Sequence, residues 1–474
     1  MNFYNTLPPR ILQFGEGNFL RAFIGDLVDQ MNANSDFNAG IIVIQPIAQG
    51  LIPLIEKQQG AYTLFLNGIK EGQTVEEYKT LQTLVGCNNP YEDFQGYLNT
   101  AQLETIDFII SNTTEAGISY DAEDRFDSTP PKSFPAKLTR WLWERWNHFK
   151  GDAAAGVAIL PCELINYNAD SLEKIIFQYI EDWQLAPAFS HWLHSACSFH
   201  NTLVDRIVTG YPKENEAACK ALTDFDDQLM VVAEPFFLWV IEGGEELQQK
   251  LPLDQTNLDV KIVDNLQSFR TRKVRILNGA HTCIVPLSIM FGNSTVAETM
   301  KNDFTSTFLQ HAVLNEIAPH LEGDAAEMEQ FSKAVFERFE NPFVNHYLAS
   351  IALNSISKFK VRVLPSILAY KEATGEYPPY LCFSFACLLR FYQGNWQGAV
   401  LPLKDDAEQI AFFENCWKAD QLHKTIINIL KNEILWDVDL SRESDLVDHL
   451  KMALTVIENQ GVEQGFATYI TSLR

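Results

Sequence analysis

The stretch from Arg10 to Ile44 sets the first constraint on the fold. Residues 10–14 (RILQF) form a short apolar run that stops at Gly15. Phe19, Phe23, Leu27 and Met31 then recur at helical spacing, and a second apolar run follows at 41–44 after an Asn-rich turn. Strand, glycine turn, helix and strand make a βαβ unit, whose parallel strands need a crossover and whose sheet needs cover on both faces. Runs at 108–111 (FIIS) and 157–160 (VAIL) continue the alternation. Between them Leu138, Trp141, Leu142 and Phe149 mark one face of an amphipathic helix. The pattern predicts a parallel sheet with helices on both sides.

Past about residue 265 the texture changes to long helical patterns at 269–290, 325–338, 341–359 and 405–431, and strand signals become rare. A chain of 474 residues exceeds the size at which a single core keeps growing. The expected fold class is therefore α/β, with a Rossmann-type dinucleotide-binding domain over residues 1–265. A mainly α-helical domain is expected over 266–474.

A formal charge of -25 opposes binding to nucleic acid or to anionic membrane surfaces, so any anionic ligand must meet a local cluster of positive groups. The 8 cysteines are scattered without a CxxC pair, which fits reduced thiols and a cytoplasmic setting. The opening residues lack a basic region followed by an apolar stretch, and no later run reaches eighteen apolar residues. Neither a signal peptide nor a membrane span is expected. His191, His194, Cys197 and His200 recur every three residues, but on a helix the first and last point to opposite sides, so no metal site is expected.

Gly15-Glu16-Gly17-Asn18-Phe19-Leu20 carries two glycines of a dinucleotide fingerprint, with Leu20 where a third would stand. Gly15 suits the tight turn, and Gly17 lets a pyrophosphate approach the helix N-terminus. Phe14, Gly15, Gly17, Asn18 and Phe19 are the cofactor-binding candidates from this turn. On this fragment alone an ordinary strand-to-helix turn fits as well. At the end of the second strand Ile44-Gln45-Pro46-Ile47 stands in place of an acidic residue that would bind the adenosine ribose, and the lack of an adjacent Lys or Arg leans towards NAD over NADP.

Residues 270–281 (RTRKVRILNGAH) read as helix. Taking Lys273 as zero, Arg270 falls near roughly 60°, His281 near 80°, Asn278 near 140° and Arg275 near 200° of a regular helix. Lys273, Asn278, His281 and Arg270 can share one broad face, and Gly279 and Ala280 leave room beside them. Such a set suits reversible oxidation of a secondary alcohol: the amine exchanges the hydroxyl proton, the asparagine polarises the oxygen, and the histidine orients the substrate. Spacing alone fits a solvated basic face equally well.

Lys273-Val-Arg275-Ile-Leu-Asn278-Gly-Ala-His281 resembles the KxRxLNxxH signature of the polyol-specific long-chain dehydrogenases, the mannitol dehydrogenase family. Val204-Asp205-Arg206-Ile207 resembles its VDRI signature. The turn GEGNFLRAF, Ser111-Asn-Thr-Thr114-Glu115-Ala-Gly117, Pro161-Cys-Glu-Leu and Arg338-Phe-Glu-Asn341-Pro342 extend the likeness over nearly the whole chain. The resemblance implies an NAD-dependent, metal-independent oxidoreductase with Lys273 as general acid/base. Asn278 and Asn168 would polarise the reacting oxygen, and His281 would lie near the substrate. Thr114 and Glu115 join the cofactor contacts, and Arg338 and His346 become substrate-facing. Asn341 should cap a helix with Pro342 at its first position.

The phrases FGEGNFLRAF, SNTTEAGISY and RKVRILNGAHT, in place of a GAFHRAH-like turn, resemble the uronate-reducing members, so a sugar acid is the implied substrate. Its carboxylate calls for an Arg fork, from Arg338 or Arg270, with Lys358 and Arg362 as further candidates. Fructuronate, mannitol or fructose chemistry on the same scaffold is the alternative. A non-catalytic dinucleotide-binding protein is the alternative from another class. Oligomeric state is left open.

Overall fold

The computed structural model describes residues 3–114 and 116–473. The chain divides into two compact units, Met1–Gly68 with Thr74–Leu266, and Ile69–Gln73 with Gln267–Arg474.

In the first unit six strands form one parallel sheet: β1 (Pro9–Phe14), β2 (Gly40–Ile44), β3 (Leu84–Asn88), β4 (Phe108–Ser111), β5 (Ala158–Pro161) and β6 (Ser198–Phe199). Their spatial order is β3-β2-β1-β4-β5-β6, that of a dinucleotide-binding doubly wound sheet. Alternate residues serve opposite faces, as the two-residue period of a strand requires. Ile11, Ile41, Val43 and Ile110 pack with Phe23, Ile24 and Leu27 of helix α1 (Asn18–Asn34). Leu12, Phe14, Ile42, Ile44 and Ile109 pack on the other face with Leu138, Trp141 and Leu142 of α2 (Phe134–His148) and Leu172 and Ile176 of α3 (Asn168–Asp182). Each such buried side chain contributes roughly 1.5–3 kcal/mol of transfer free energy. Two smaller sheets complete the unit, one on Tyr62–Lys70 and Gln73–Leu81 with two short later strands, the other on Thr202–Asp205, Leu238–Glu242 and Asp259–Val263.

The VDRI segment is a clamp inside this unit. Arg206 and Asp26 form an ion pair at 2.6 Å with both side chains wholly buried. Arg206 also donates to the Glu234 carbonyl at 2.9 Å and the Ala22 carbonyl at 2.7 Å, tying α1 to the loop before the next strand. Lys79 approaches Asp26 at 2.8 Å. Burial alone would push the Asp26 carboxyl up, but Arg206 and Lys79 together hold it below the usual range.

The second unit is helical. α4 (Gln267–Phe291) runs through its centre, and 72% of its most apolar window is buried. It is the one helix among the described residues long and apolar enough to cross a membrane, and its burial is that of a core helix. Around it stand α5 (Ala325–Phe339), α6 (Ser355–Arg362), α7 (Pro379–Phe391), α8 (Ser444–Gln460) and α9 (Val462–Ser472). α7 packs against both α4 and α8, and α8 packs against α9.

The long helix expected over 341–359 is broken. Asn341 is buried and accepts the Phe343 amide at 2.9 Å, closing a turn instead of capping a helix. Tyr347 then makes an isolated antiparallel bridge to Thr295, and Asn354 takes a left-handed φ of 51° before α6 begins. The pattern expected over 405–431 is likewise two helices, Ala407–Cys416 and Leu422–Leu430.

Glu316 lies buried in a π-helical turn, Ala312–Ile317, and its carboxylate accepts the Tyr380 and Leu381 amides of α7 at 2.9 and 2.8 Å. Burial pushes it up from 4.5 to about 8, against the pull of those two amides. The folded state therefore holds a proton that the unfolded chain releases above about pH 4.5. Its contribution to stability is full below that pH and is lost as pH rises towards 8. Glu316→Gln should flatten the fall in urea midpoint over this window, and an unaltered pH slope would rule the residue out as its source.

Candidate functional site

The strand order reverses between β1 and β4, and the crevice at their C-terminal ends is where ligands bind in such sheets. Gly15 leaves β1 with φ of +113°, and its amide donates to the Ile44 carbonyl at 3.0 Å. A Cβ there would lie 2.7 Å from the Asn112 carbonyl oxygen, so only glycine fits. Gly17 caps α1 and is exposed, with nothing within 4 Å of an added Cβ, and no side chain caps the first amides of the helix. A glycine cradle against free amides and a helix dipole suits a pyrophosphate.

The other residues of the turn have different tasks. Phe14 is fully buried against Phe134 and Tyr97, at 4.9 and 6.1 Å between rings, and its side chain supports the turn from below. Asn18 accepts from Arg21 at 2.8 Å, and half-buried Phe19 stacks on Phe23 at 4.9 Å. Thr114 is exposed on the loop after β4 with φ of 84°. Glu115 lies outside the described residues.

Glu163, read in the sequence only as part of a motif, proves to organise that loop. Its buried carboxylate accepts the Thr113 amide at 3.0 Å, the Thr113 hydroxyl at 2.9 Å and the Ser111 hydroxyl at 3.0 Å. Asn168 is also buried and faces backbone: its Nδ2 donates to Pro161 at 2.9 Å, with Glu163 at 3.2 Å, and its Oδ1 accepts the Thr202 amide at 2.9 Å. With donors and acceptor so engaged, Asn168 holds the loop after β5.

In the second unit the decisive local feature is the winding of α4. It is α-helical over Gln267–Arg272, π-helical over Lys273–Asn278 and α-helical again over Gly279–Phe291. The wide turn spans the signature from its lysine to its asparagine, and such turns are frequent at functional sites. Uniform winding would set Asn278 roughly 140° from Lys273. With about 4.4 residues in the i→i+5 turn, Asn278 comes to roughly 50° and His281 to within roughly 10° of the lysine direction. Lys273 and Asn278 are both half-buried.

His281 is buried, its ring 4.0 Å from that of Phe339 and 4.9 Å from that of His346. Its Nε2 is buried with no hydrogen-bond partner among the described residues. Burial first, then His346, Arg338 and Arg362, hold its pKa well below the usual histidine range. The ring is therefore neutral near pH 7 and surrounded by basic groups. Burial lowers His346 in the same direction. Arg362 donates to the Thr282 hydroxyl at 3.3 Å, and Lys358 donates to the Ile351 carbonyl at 3.0 Å.

His281, His346, Arg338 and Arg362 are thus brought together, with Lys358 influenced by Arg362. Arg270 is buried earlier on α4, where it donates to Gln267 at 3.4 Å. Arg272, which the sequence did not single out, is buried between the rings of Phe269 and Phe331 and 3.7 Å from Glu327. Among the described residues no group of three or more His, Cys, Asp or Glu side chains is placed to hold a metal ion.

Residues 9–255 match the model of the mannitol dehydrogenase Rossmann domain, and residues 265–458 match that of the mannitol dehydrogenase C-terminal domain. The chain is 43% identical to an altronate oxidoreductase of Klebsiella pneumoniae (strain 342) over 96% of its own length and 95% of that protein's. It is 42% identical to an altronate oxidoreductase of Yersinia pestis, over 98% and 97% of the two lengths. Among solved structures it shares its fold with a D-sorbitol dehydrogenase in substrate-free form, at a TM-score of 0.82 and 20% identity, covering 98% of this chain and 96% of that one. It also shares it with Pseudomonas fluorescens mannitol 2-dehydrogenase in ternary complex with NAD and D-mannitol, at a TM-score of 0.68 and 18% identity, covering 99% and 96%. Two domain models that meet near residue 260, and relatives aligned almost end to end, place the chain in the mannitol dehydrogenase family.

Proposed function

We propose that the chain catalyses the reversible, NAD-linked reduction of D-tagaturonate to D-altronate in the cytoplasm. The observation that carries the chemistry is the π-helical turn of α4, which turns Lys273, Asn278 and His281 towards one side among basic groups. The sugar acid follows the name borne by relatives 43% and 42% identical to this chain.

The Gly15–Gly17 turn and the first amides of α1 would hold the cofactor's pyrophosphate, with Thr114, on the loop after β4, as a further contact. Bound NADH supplies the hydride for the ketone carbon. Lys273 donates the proton to the ketone oxygen as it becomes the alcohol, and accepts it again in the reverse direction. Asn278 donates a hydrogen bond to the same oxygen while negative charge develops there. Neutral His281 turns its unpartnered Nε2 to a substrate hydroxyl. Arg338, with Arg362, Lys358 and His346 nearby, holds the carboxylate, and Arg270 is a reserve for that task. Asn168 acts as a positioning residue through the loop it anchors.

The test is NADH oxidation measured with tagaturonate, fructuronate and fructose. Tagaturonate should give the highest kcat/KM, and preference for fructose would sink the uronate assignment. Arg338→Ala should raise KM for the uronate by about 10- to 100-fold, the worth of a hydrogen bond to a charged group, and leave that for fructose little changed. An equal effect on both ketoses would remove the carboxylate role.

A further inference from the structure

We propose that Glu242 is a positioning residue for the ketone reduction: with Asn201 it fixes the backbone group from which α4 starts, and so sets where Lys273 stands when the hydride moves. This rests on the reaction proposed above and adds to it a residue outside the site.

Leu266 is the last residue of the first unit, and α4 begins at Gln267. The Leu266 amide donates to Glu242 Oε1 at 3.0 Å, and Asn201 Nδ2 donates to Glu242 Oε2 at 2.8 Å. Asn201 is buried, and its Oδ1 accepts the Ala169 and Asp170 amides at 3.0 and 3.2 Å. These amides open α3, for which the preceding Tyr167 supplies no side-chain cap. Asn168 begins the same helix and secures the loop after β5. Glu242 ends the strand Leu238–Glu242, and its own amide donates to the Asn201 carbonyl at 2.8 Å. One chain of contacts therefore runs within the first unit from the start of α3, through Asn201 and Glu242, to the last amide before α4.

The polarity of this chain selects the residue type at position 242. Two helix amides claim the Asn201 oxygen, so its nitrogen faces Glu242, and the Leu266 amide is a second donor. A carboxylate offers an acceptor to each. A glutamine would turn its own NH2 against one of the two donors. Lys273 stands seven residues beyond Leu266, roughly 10 Å along the helix axis. Over that length a tilt of roughly 6° at the origin moves it by about 1 Å, and a misplacement of about 1 Å can cost about 10²-fold in rate. Lys273, Asn278 and Arg338 belong to the second unit and the glycine turn to the first, so slack at Leu266 leaves each binding group among its own neighbours. What it disturbs is the alignment of proton donor and hydride donor.

The test is reduction of tagaturonate by NADH with the full chain, with NADH affinity from quenching of protein fluorescence and thermal unfolding recorded for every variant. Glu242→Gln sets two donors against each other and should lower kcat by about 10- to 100-fold, while KM for tagaturonate and Kd for NADH stay within about threefold. Asn201→Asp sets two carboxylates against each other and should show the same split. Combining the two substitutions restores a donor against an acceptor and leaves the carboxylate at the N-terminus of α3, where helix amides favour it. Exposed Asp170, which accepts from Asn201 Nδ2 at 2.9 Å, then turns to water. The double variant should recover most of the lost rate. Should Glu242→Gln fail to fold, Glu242→Asp, which keeps both acceptors on a shorter stem, takes its place with the same split expected. An unchanged kcat, a loss carried by KM or by NADH affinity, or a double variant slower than both single ones would overturn the positioning role while the reduction itself stands. Absence of NADH oxidation by the unsubstituted protein would remove the reaction, and this inference with it.

Discussion

Lys273→Ala is expected to lower kcat for ketone reduction by about 10²- to 10⁴-fold, the range a positioned proton donor contributes. NADH should still bind, because the cofactor cradle is built from the Gly15–Gly17 turn and α1, in a different unit of the chain. The loss therefore belongs in the chemical step, and single-turnover oxidation of bound NADH should slow as much as kcat does. Added primary amines, small enough to enter beside Gly279 and Ala280, should restore part of the rate. Turnover that survives the substitution unchanged would remove Lys273 from the mechanism. A parallel loss of NADH affinity would show that the variant had disturbed the fold instead.

Arg206→Ala should cost about 3–5 kcal/mol of stability, the usual result of stranding one partner of a buried ion pair. The stranded group is Asp26, wholly buried and left with Lys79 as its one remaining named cation. The cost should appear as a lower urea midpoint with little change in slope. Replacing both partners, Asp26→Leu with Arg206→Met, should cost much less than Arg206→Ala, because no lone charge is then buried. Acid provides a second readout. The folded Asp26 carboxyl lies below its unfolded value, so its contribution to stability is present above the unfolded pKa and is lost as pH falls through the folded one. An Arg206→Ala midpoint within error of the unsubstituted protein would show that the clamp carries no weight.

The opening βαβ unit was legible because both of its periods are strong. Phe19, Phe23, Leu27 and Met31 repeat every four residues, and β2 is apolar throughout because it is buried on both faces. The strand Gln73–Leu81 was not legible, since all but its last residue is exposed or half-buried and nothing in QTVEEYKTL marks a core face. The break after Asn341 was missed for another reason: an asparagine before a proline suits a turn as well as a cap, and only burial of Asn341 in its turn decides between them.

At the candidate site the residue types were legible and their geometry was not. Spacing placed Asn278 and Lys273 towards opposite edges of one broad face of a regular helix, and the closer alignment was hidden because residue identity at 100° per step does not reveal an added residue in the turn. Glu16 escaped notice between two glycines, and Glu163 as a member of a motif. Each acts on a neighbour distant in sequence: Glu16 on Leu51, and Glu163 on Ser111 and Thr113.

The wide turn of α4 is also a phase boundary. Beyond it Ala280, Cys283, Ile284 and Leu287 are locked in the core of their unit, and before it Arg270 and Arg272 are buried as well. Shedding the surplus residue would rotate every side chain on one side of the boundary by roughly 100°, dragging apolar groups out or charged ones in. The helix is therefore held at both ends like a wound spring between two fixed mounts. The cost of the irregular winding falls on packed residues that take no part in the reaction, and it is their packing that keeps Lys273 and Asn278 aligned.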